Sequence, residues 1–273
     1  MKLIKILPIF LIVLFTSSIA QAQFWVGPRV GFQMTNYKYQ DEINVMVKED
    51  SLEYLAENSA NFNVGLALEY TTEGRYSVHT ELVYQRIENT VRNKPGNPIL
   101  SSKSTYNFLS VPVLMRINFG YLPFQFYVNG GPRLAYWLNG KGTIQADELV
   151  EFGIEDGRSY KVHFGQVSQD KVREGDFFFI PKSNRLQYAF ELGAGATFEL
   201  NEFFRGYFDI RYTFGHSNMG FNDQADFGLI EYQENIQYSQ NILQLSMGVL
   251  VGYDPNRKRK GASNSNVGRK KKK

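Results

Sequence analysis

The chain has three histidines, and His216 is followed directly by Ser217, the two residue types from which a base-activated hydroxyl nucleophile is built. A His beside a Ser is common by chance, and a working triad needs a third group brought in by folding. His79 falls in register with carboxylates, and His163 lies in a long connecting segment. The chain has no cysteine, no metal-ligand cluster of recognisable spacing and no phosphate-cradling loop. These absences predict neither an enzyme nor a cofactor.

Nine charges at one parity say more. Arg29, Arg116, Arg133 and Arg211, with Glu69, Glu81, Glu191, Glu199 and Asp209, each sit in a stretch where apolar and polar residues alternate, always on the polar side. Charges taken out of bulk water are tolerable only when paired and hydrogen-bonded. Four cations against five anions on an enclosed face therefore predict an internal salt-bridge network, with His79 joining it. A gated ion path or a proton relay is the other use such a set could serve.

The elements that must position these charges are eight stretches of period-two alternation, at about 24–34, 60–70, 75–86, 105–119, 124–138, 187–200, 205–215 and 241–253. In the first, Val26, Pro28, Val30 and Phe32 oppose Trp25, Gly27, Arg29 and Gly31. The connections at 71–74, 120–123 and 201–204 are short, and those at 36–59, 87–104, 139–186 and 216–240 are long. Apolar residues on the face opposite the charges and glycines are the reverse of a soluble lipocalin-like barrel, whose apolar face is inside. The expectation is an all-β protein, an eight-stranded antiparallel up-and-down transmembrane β-barrel of the bacterial outer membrane, too narrow for a wide pore.

An even strand number puts both termini on the side of the short turns, the periplasm in bacterial barrels. Pro112 predicts a bulge or locally loose pairing in the fourth strand. Gly27-Pro28-Arg29 recurs as Gly131-Pro132-Arg133, which predicts similar packing demands in strands one and five. The third long connection, about 48 residues, should extend strands above the membrane or fold over the mouth. It carries Glu148, Glu151, Glu155 and Asp156, read as a solvated acidic segment or as cation contacts, and Phe177, Phe178 and Phe179. Three consecutive Phe should not stand in water, so they pack within the loop, enter the lipid interface or contact a partner.

Both ends read differently from the body. Residues 1–22 have a basic start at Lys2 and Lys5, an apolar run and Ala20-Gln21-Ala22 at the end, the pattern of a cleaved secretory leader. Residues 23–253 form the barrel, and 254–273 a basic tail expected to be disordered and periplasmic. That tail holds Arg257, Lys258, Arg259, Lys260, Arg269, Lys270, Lys271, Lys272 and Lys273 with one acid, which leaves the body 19 basic against 26 acidic residues, a net of −7. A pI of 8.8 therefore reflects an acidic body with a basic tail and implies no nucleic-acid partner. The partners expected are outer-membrane lipid, including lipopolysaccharide, and a periplasmic or secretion-complex protein docked on the nine basic residues of the tail.

The segments Trp25–Phe32, Tyr106–Leu114, Val128–Leu134, Glu191–Gly195 and Asp209–Gly215, with the last strand, resemble the PorT-like outer-membrane β-barrel proteins of Bacteroidota. The resemblance spans essentially the whole barrel. It implies a non-enzymatic scaffold or accessory role, with type IX secretion or gliding as its setting, and brings no catalytic residues. The four long loops and the basic tail depart from it. A surface binding or adhesion module working through the acidic loops is the alternative.

Overall fold

The computed structural model describes residues 23–39, 44–47, 50–57, 59–72, 74–93, 100–121, 123–151, 153, 157–167, 170, 177–201, 203–221, 225–226, 233–234 and 236–253. The leader and the basic tail, with Arg257, Lys258, Arg259, Lys260, Arg269, Lys270, Lys271, Lys272 and Lys273, lie outside the described residues, as do Glu155 and Asp156.

The strands are β1 (Gln23–Tyr39), β2 (Asn44–Val47), β3 (Asp50–Glu57), β4 (Ser59–Thr71), β5 (Tyr76–Asn93), β6 (Leu100–Tyr121) and β7 (Phe124–Ala146). A short helix α1 (Asp147–Glu151) follows, then β8 (Arg158–Phe164), β9 (Phe177–Ile180), β10 (Leu186–Glu199), β11 (Phe204–Gly215), β12 (Ala225–Asp226), β13 (Gln233–Glu234) and β14 (Tyr238–Tyr253). Eight of them, β1, β4, β5, β6, β7, β10, β11 and β14, pair antiparallel in that order. The ring closes where β1 meets β14, in register from Phe24 opposite Tyr253 to Tyr39 opposite Tyr238. All eight stretches of alternation are therefore barrel strands.

Burial follows parity around the wall. Phe62 is 77% exposed while Arg29 and Glu81 are each 2% exposed, the inverse of a water-soluble core. An apolar outer face with buried charge inside is stable only with hydrocarbon as the outer solvent. Along β7 the apolar outward residues run from Phe124 to Tyr136. That is about 40 Å of strand and, at the usual tilt of roughly 40°, about 30 Å of height, the thickness of a bilayer core.

Above Tyr136 the wall continues into strands that the alternation did not reveal. β5 runs on to Asn93, β6 begins at Leu100 and β7 extends to Ala146. Beyond the hydrocarbon the outward face needs no apolar residues, so the period-two signal fades although the ladder persists. The third long connection both extends and covers. β8 pairs with β7 at Lys141 to Ile144, and β9 runs parallel to β8, sending Phe178 and Ile180 into the core above the charges.

Two local expectations resolve here. Around Pro112 the ladders to β5 and β7 lapse without changing register, so the pairing is loose but not bulged. The register shift falls instead at Asn107/Phe108, opposite Trp137 and Asn139. Arg185 satisfies the carbonyls this frees, donating from Nε to Trp137 O at 3.1 Å and from Nη2 to Leu138 O at 3.3 Å. The repeated Gly-Pro-Arg has one cause in both strands. A Cβ on Gly27 would strike the Val249 carbonyl, and a Cβ on Gly131 the Val113 carbonyl. At each place a neighbouring backbone crosses too closely for a side chain, and the following arginine enters the lumen.

Candidate functional site

The lumen is organised around two carboxylates. Glu81 on β5 receives Arg29 Nη1 from β1 at 2.9 Å, and Arg211 Nη2 and Nη1 from β11 at 2.6 and 3.0 Å. The Arg211 contact crosses the barrel between strands that are not neighbours. It is a two-pronged fork, the geometry in which a guanidinium binds a carboxylate most strongly. His79 links the two centres, with Nε2 2.8 Å from Glu81 Oε1 and Nδ1 3.3 Å from Glu69 Oε2. Glu69 also pairs with Arg116 Nη1 and lies 3.7 Å from Arg205 Nη1.

Further pairs complete the network. Arg211 Nε pairs with Asp209, which also accepts from Tyr127 Oη at 2.8 Å and Asn129 Nδ2 at 2.9 Å. Glu191 lies 3.4 Å from Arg133 Nε and accepts from Thr213 Oγ1 at 3.1 Å. Arg133 reaches Gln85 with Nη2. Arg116 has no acceptor for Nε and Nη2. Its guanidinium carbon instead lies 3.7 Å from the centre of the Tyr127 ring, where a desolvated cation is attracted to the π-face.

Apolar layers close both ends of this charged zone. Towards the short turns, Trp25, Ala67, Tyr207 and Leu250 form a small cluster, with Arg205 stacked on Trp25 at 4.0 Å. Towards the long loops, Trp137 packs among Tyr106, Phe108 and Phe164 with ring centres 4.9 to 5.9 Å apart. Where the charges meet this aromatic layer, a cavity bordered by Arg133, Gln187, Thr213 and Gln240 measures about 20 Å³, room for about one water molecule. Among the described residues the lumen is a filled plug of ion pairs between two apolar seals.

Residues 19–220 match the family described as outer membrane protein beta-barrel domain, in agreement with this ring of strands. The chain belongs to that family. It is an outer-membrane β-barrel. Among solved structures it is similar to outer membrane protein OprG of Pseudomonas aeruginosa, at 11% identity and a TM-score of 0.49, covering 85% of this chain and 96% of that one. Escherichia coli outer membrane protein W gives 12% identity and a TM-score of 0.36, with 84% and 97% covered. The outer membrane protease OmpT of the same species gives 8% and 0.34, with 87% and 97% covered. No curated protein sequence matches the chain.

Within the barrel, the nine charges singled out by parity divide by depth. Arg29, Glu69, Glu81, Arg116, Arg133, Glu191, Asp209 and Arg211 are buried and paired inside. Glu199 stands at the lower rim, its side chain 27% exposed and 3.3 Å from Arg205. Arg205 was missed by the sequence reading. It shares parity with Tyr207, Asp209 and Arg211, but at the first turn of β11 alternation alone does not separate a strand residue from a turn residue.

The remaining candidates disperse. Phe178 and Phe179 are buried and Phe177 is half-buried beside the ring of His163, so the triplet packs within the part of the barrel on the long-loop side and Phe178 and Phe179 offer no contact surface. The Ser217 hydroxyl is held by the backbone of Tyr188, accepting from its N–H at 2.9 Å, and His216 stacks on the Tyr188 ring. That geometry extends the ladder of β10 and leaves no base aimed at a nucleophile. Among the described residues no group of three His, Cys, Asp or Glu side chains could hold a metal ion.

Proposed function

We propose that this barrel is a non-enzymatic scaffold or accessory protein of the outer membrane, with type IX secretion or gliding machinery as its setting. The supporting observation is the plug: two arginines and a histidine converge on Glu81, aromatic residues seal one end, and the neighbouring cavity has room for only about one water. Buried charge held in linked ion pairs favours a fixed architecture over a conducting path. A barrel filled in this way acts through what it presents outside its lumen. On this reading both termini face the periplasm, and the basic tail after β14 docks on an acidic periplasmic surface, the cationic residues acting as point charges whose attraction salt weakens.

The adhesion alternative has its own support, because β5, β6, β7 and β8 continue as a paired sheet beyond the apolar band, on the side that this orientation turns outward. One experiment separates the two. The full chain and a form lacking residues 256–273 are extracted in mild detergent, and co-purifying proteins are identified at low and high salt. Normal insertion with loss of periplasmic partners supports docking through the tail. Partners that are unchanged at both salt concentrations would refute it, and host-surface ligands captured equally by both forms would favour the loops.

A further inference from the structure

Just above the apolar band, the outer wall carries a basic depression that the lumen does not explain. On β7 the outward residues change at the bulge from Leu134 and Tyr136 to Asn139, Lys141 and Thr143. Lys161 of β8 lies directly opposite Lys141 in an antiparallel pair, and Thr105 of β6 lies opposite it on the other side. Lys103, one outward position further up β6, faces Thr143. These residues, with Ser159, line a cavity of about 470 Å³. Lys103 is 3.3 Å from Glu88, whereas Lys141 and Lys161 form no ion pair among the described residues.

Like charges placed directly opposite across two strands repel and destabilise the pair. An anion seated between the two ammonium groups turns that cost into attraction, and the hydroxyls of Thr105, Thr143 and Ser159 add donors suited to phosphate oxygens. The height selects the source of the anion. Lys141 is the second outward position above Tyr136, and long lysine stems can bring their charges down towards the boundary, where outer-leaflet headgroups carry their phosphates. A soluble ligand would have no reason to be met at this level on the lipid-facing wall.

We propose that Lys141 and Lys161, aided by Lys103 and the three hydroxyls, bind a phosphate borne by an outer-leaflet glycolipid. The inference rests on the outer-membrane placement and on the proposed orientation with both termini periplasmic, and is independent of the scaffold role. The test uses the full chain in detergent, titrated with diphosphorylated lipid A, with the same lipid after phosphatase treatment, and with inorganic phosphate. Wild type should bind the diphosphorylated lipid, more weakly as salt rises, and the double variant Lys141→Ala/Lys161→Ala should bind it about tenfold less well. Lys141→Arg/Lys161→Arg should retain binding. In lipid-free detergent the alanine variant should unfold no more easily than wild type, because only a repulsive pair is lost. Equal binding of the dephosphorylated lipid, or of the lipid by the alanine variant, would overturn the proposal. So would millimolar inorganic phosphate binding as well as the lipid, or preferential capture of a soluble sulfated polysaccharide.

Discussion

Removing the Glu81 carboxylate should be the most damaging single change in the lumen. Glu81 has no exposed side-chain surface, and neither has its partner Arg29, while Arg211 is 1% exposed. Deleting one member of a buried pair typically costs about 3 to 5 kcal/mol, because the other charge stays buried without a partner. Glu81→Ala strands two guanidinium groups. Arg29 keeps a hydrogen bond to Asn63 at 2.9 Å and Arg211 keeps Asp209, so the two penalties will not add in full and about 5 kcal/mol is expected. With a urea slope of roughly 2 kcal/mol per molar, the unfolding midpoint should fall by about 2.5 M. Trp25 and Trp137 are the two tryptophans, one at each end of the plug, so fluorescence during reversible unfolding in lipid reports both seals. Glu88→Ala is the control, since it breaks only pairs with Arg86 and Lys103, whose side chains are 51% and 57% exposed, and should cost about 1 kcal/mol. If Glu81→Ala costs no more than Glu88→Ala, the lumen admits water and the plug argument fails.

Arg116→Ala should cost less than Glu81→Ala by the same measurement, about 3 kcal/mol, because Glu69 retains His79 and Arg205; a larger loss than for Glu81→Ala would contradict the assigned hierarchy. Trp137→Ala should cost about 3 to 5 kcal/mol through the cavity left among Tyr106, Phe108 and Phe164, an unchanged midpoint being the contrary result. Gly131→Val should abolish the heat-modifiable band on gels, since its side chain would enter the Val113 carbonyl, and normal folding of this variant would show that the strands part more easily than their spacing implies. Planar bilayers containing the purified barrel should show no steps of porin size, and steady conductance would refute the sealed lumen. Protease added to intact cells should cut only in the long loops, whereas surface labelling of the tail would reverse the proposed orientation.

What the sequence determined by itself was the wall. Strand period is two, so alternation assigned Arg29, Glu81, Arg116, Asp209 and Arg211 to the inside without knowledge of any partner, and the sign balance of that set already implied pairing. Parity carries no information about height, and the barrel's stagger brings Arg211 to Glu81 across 130 residues of chain while leaving Glu199 at the rim. The core on the long-loop side was equally hidden: Phe178 and Phe179 read as apolar residues needing cover, but only the pairing of β9 with β8 supplied it. Lys141 and Lys161 both fall within the third long connection of the sequence. Their opposition exists because β8 takes up the edge of β7 above the point where β10 begins, a long-range pairing that backbone hydrogen bonds and the buried aromatic layer select and that no local pattern of residues encodes.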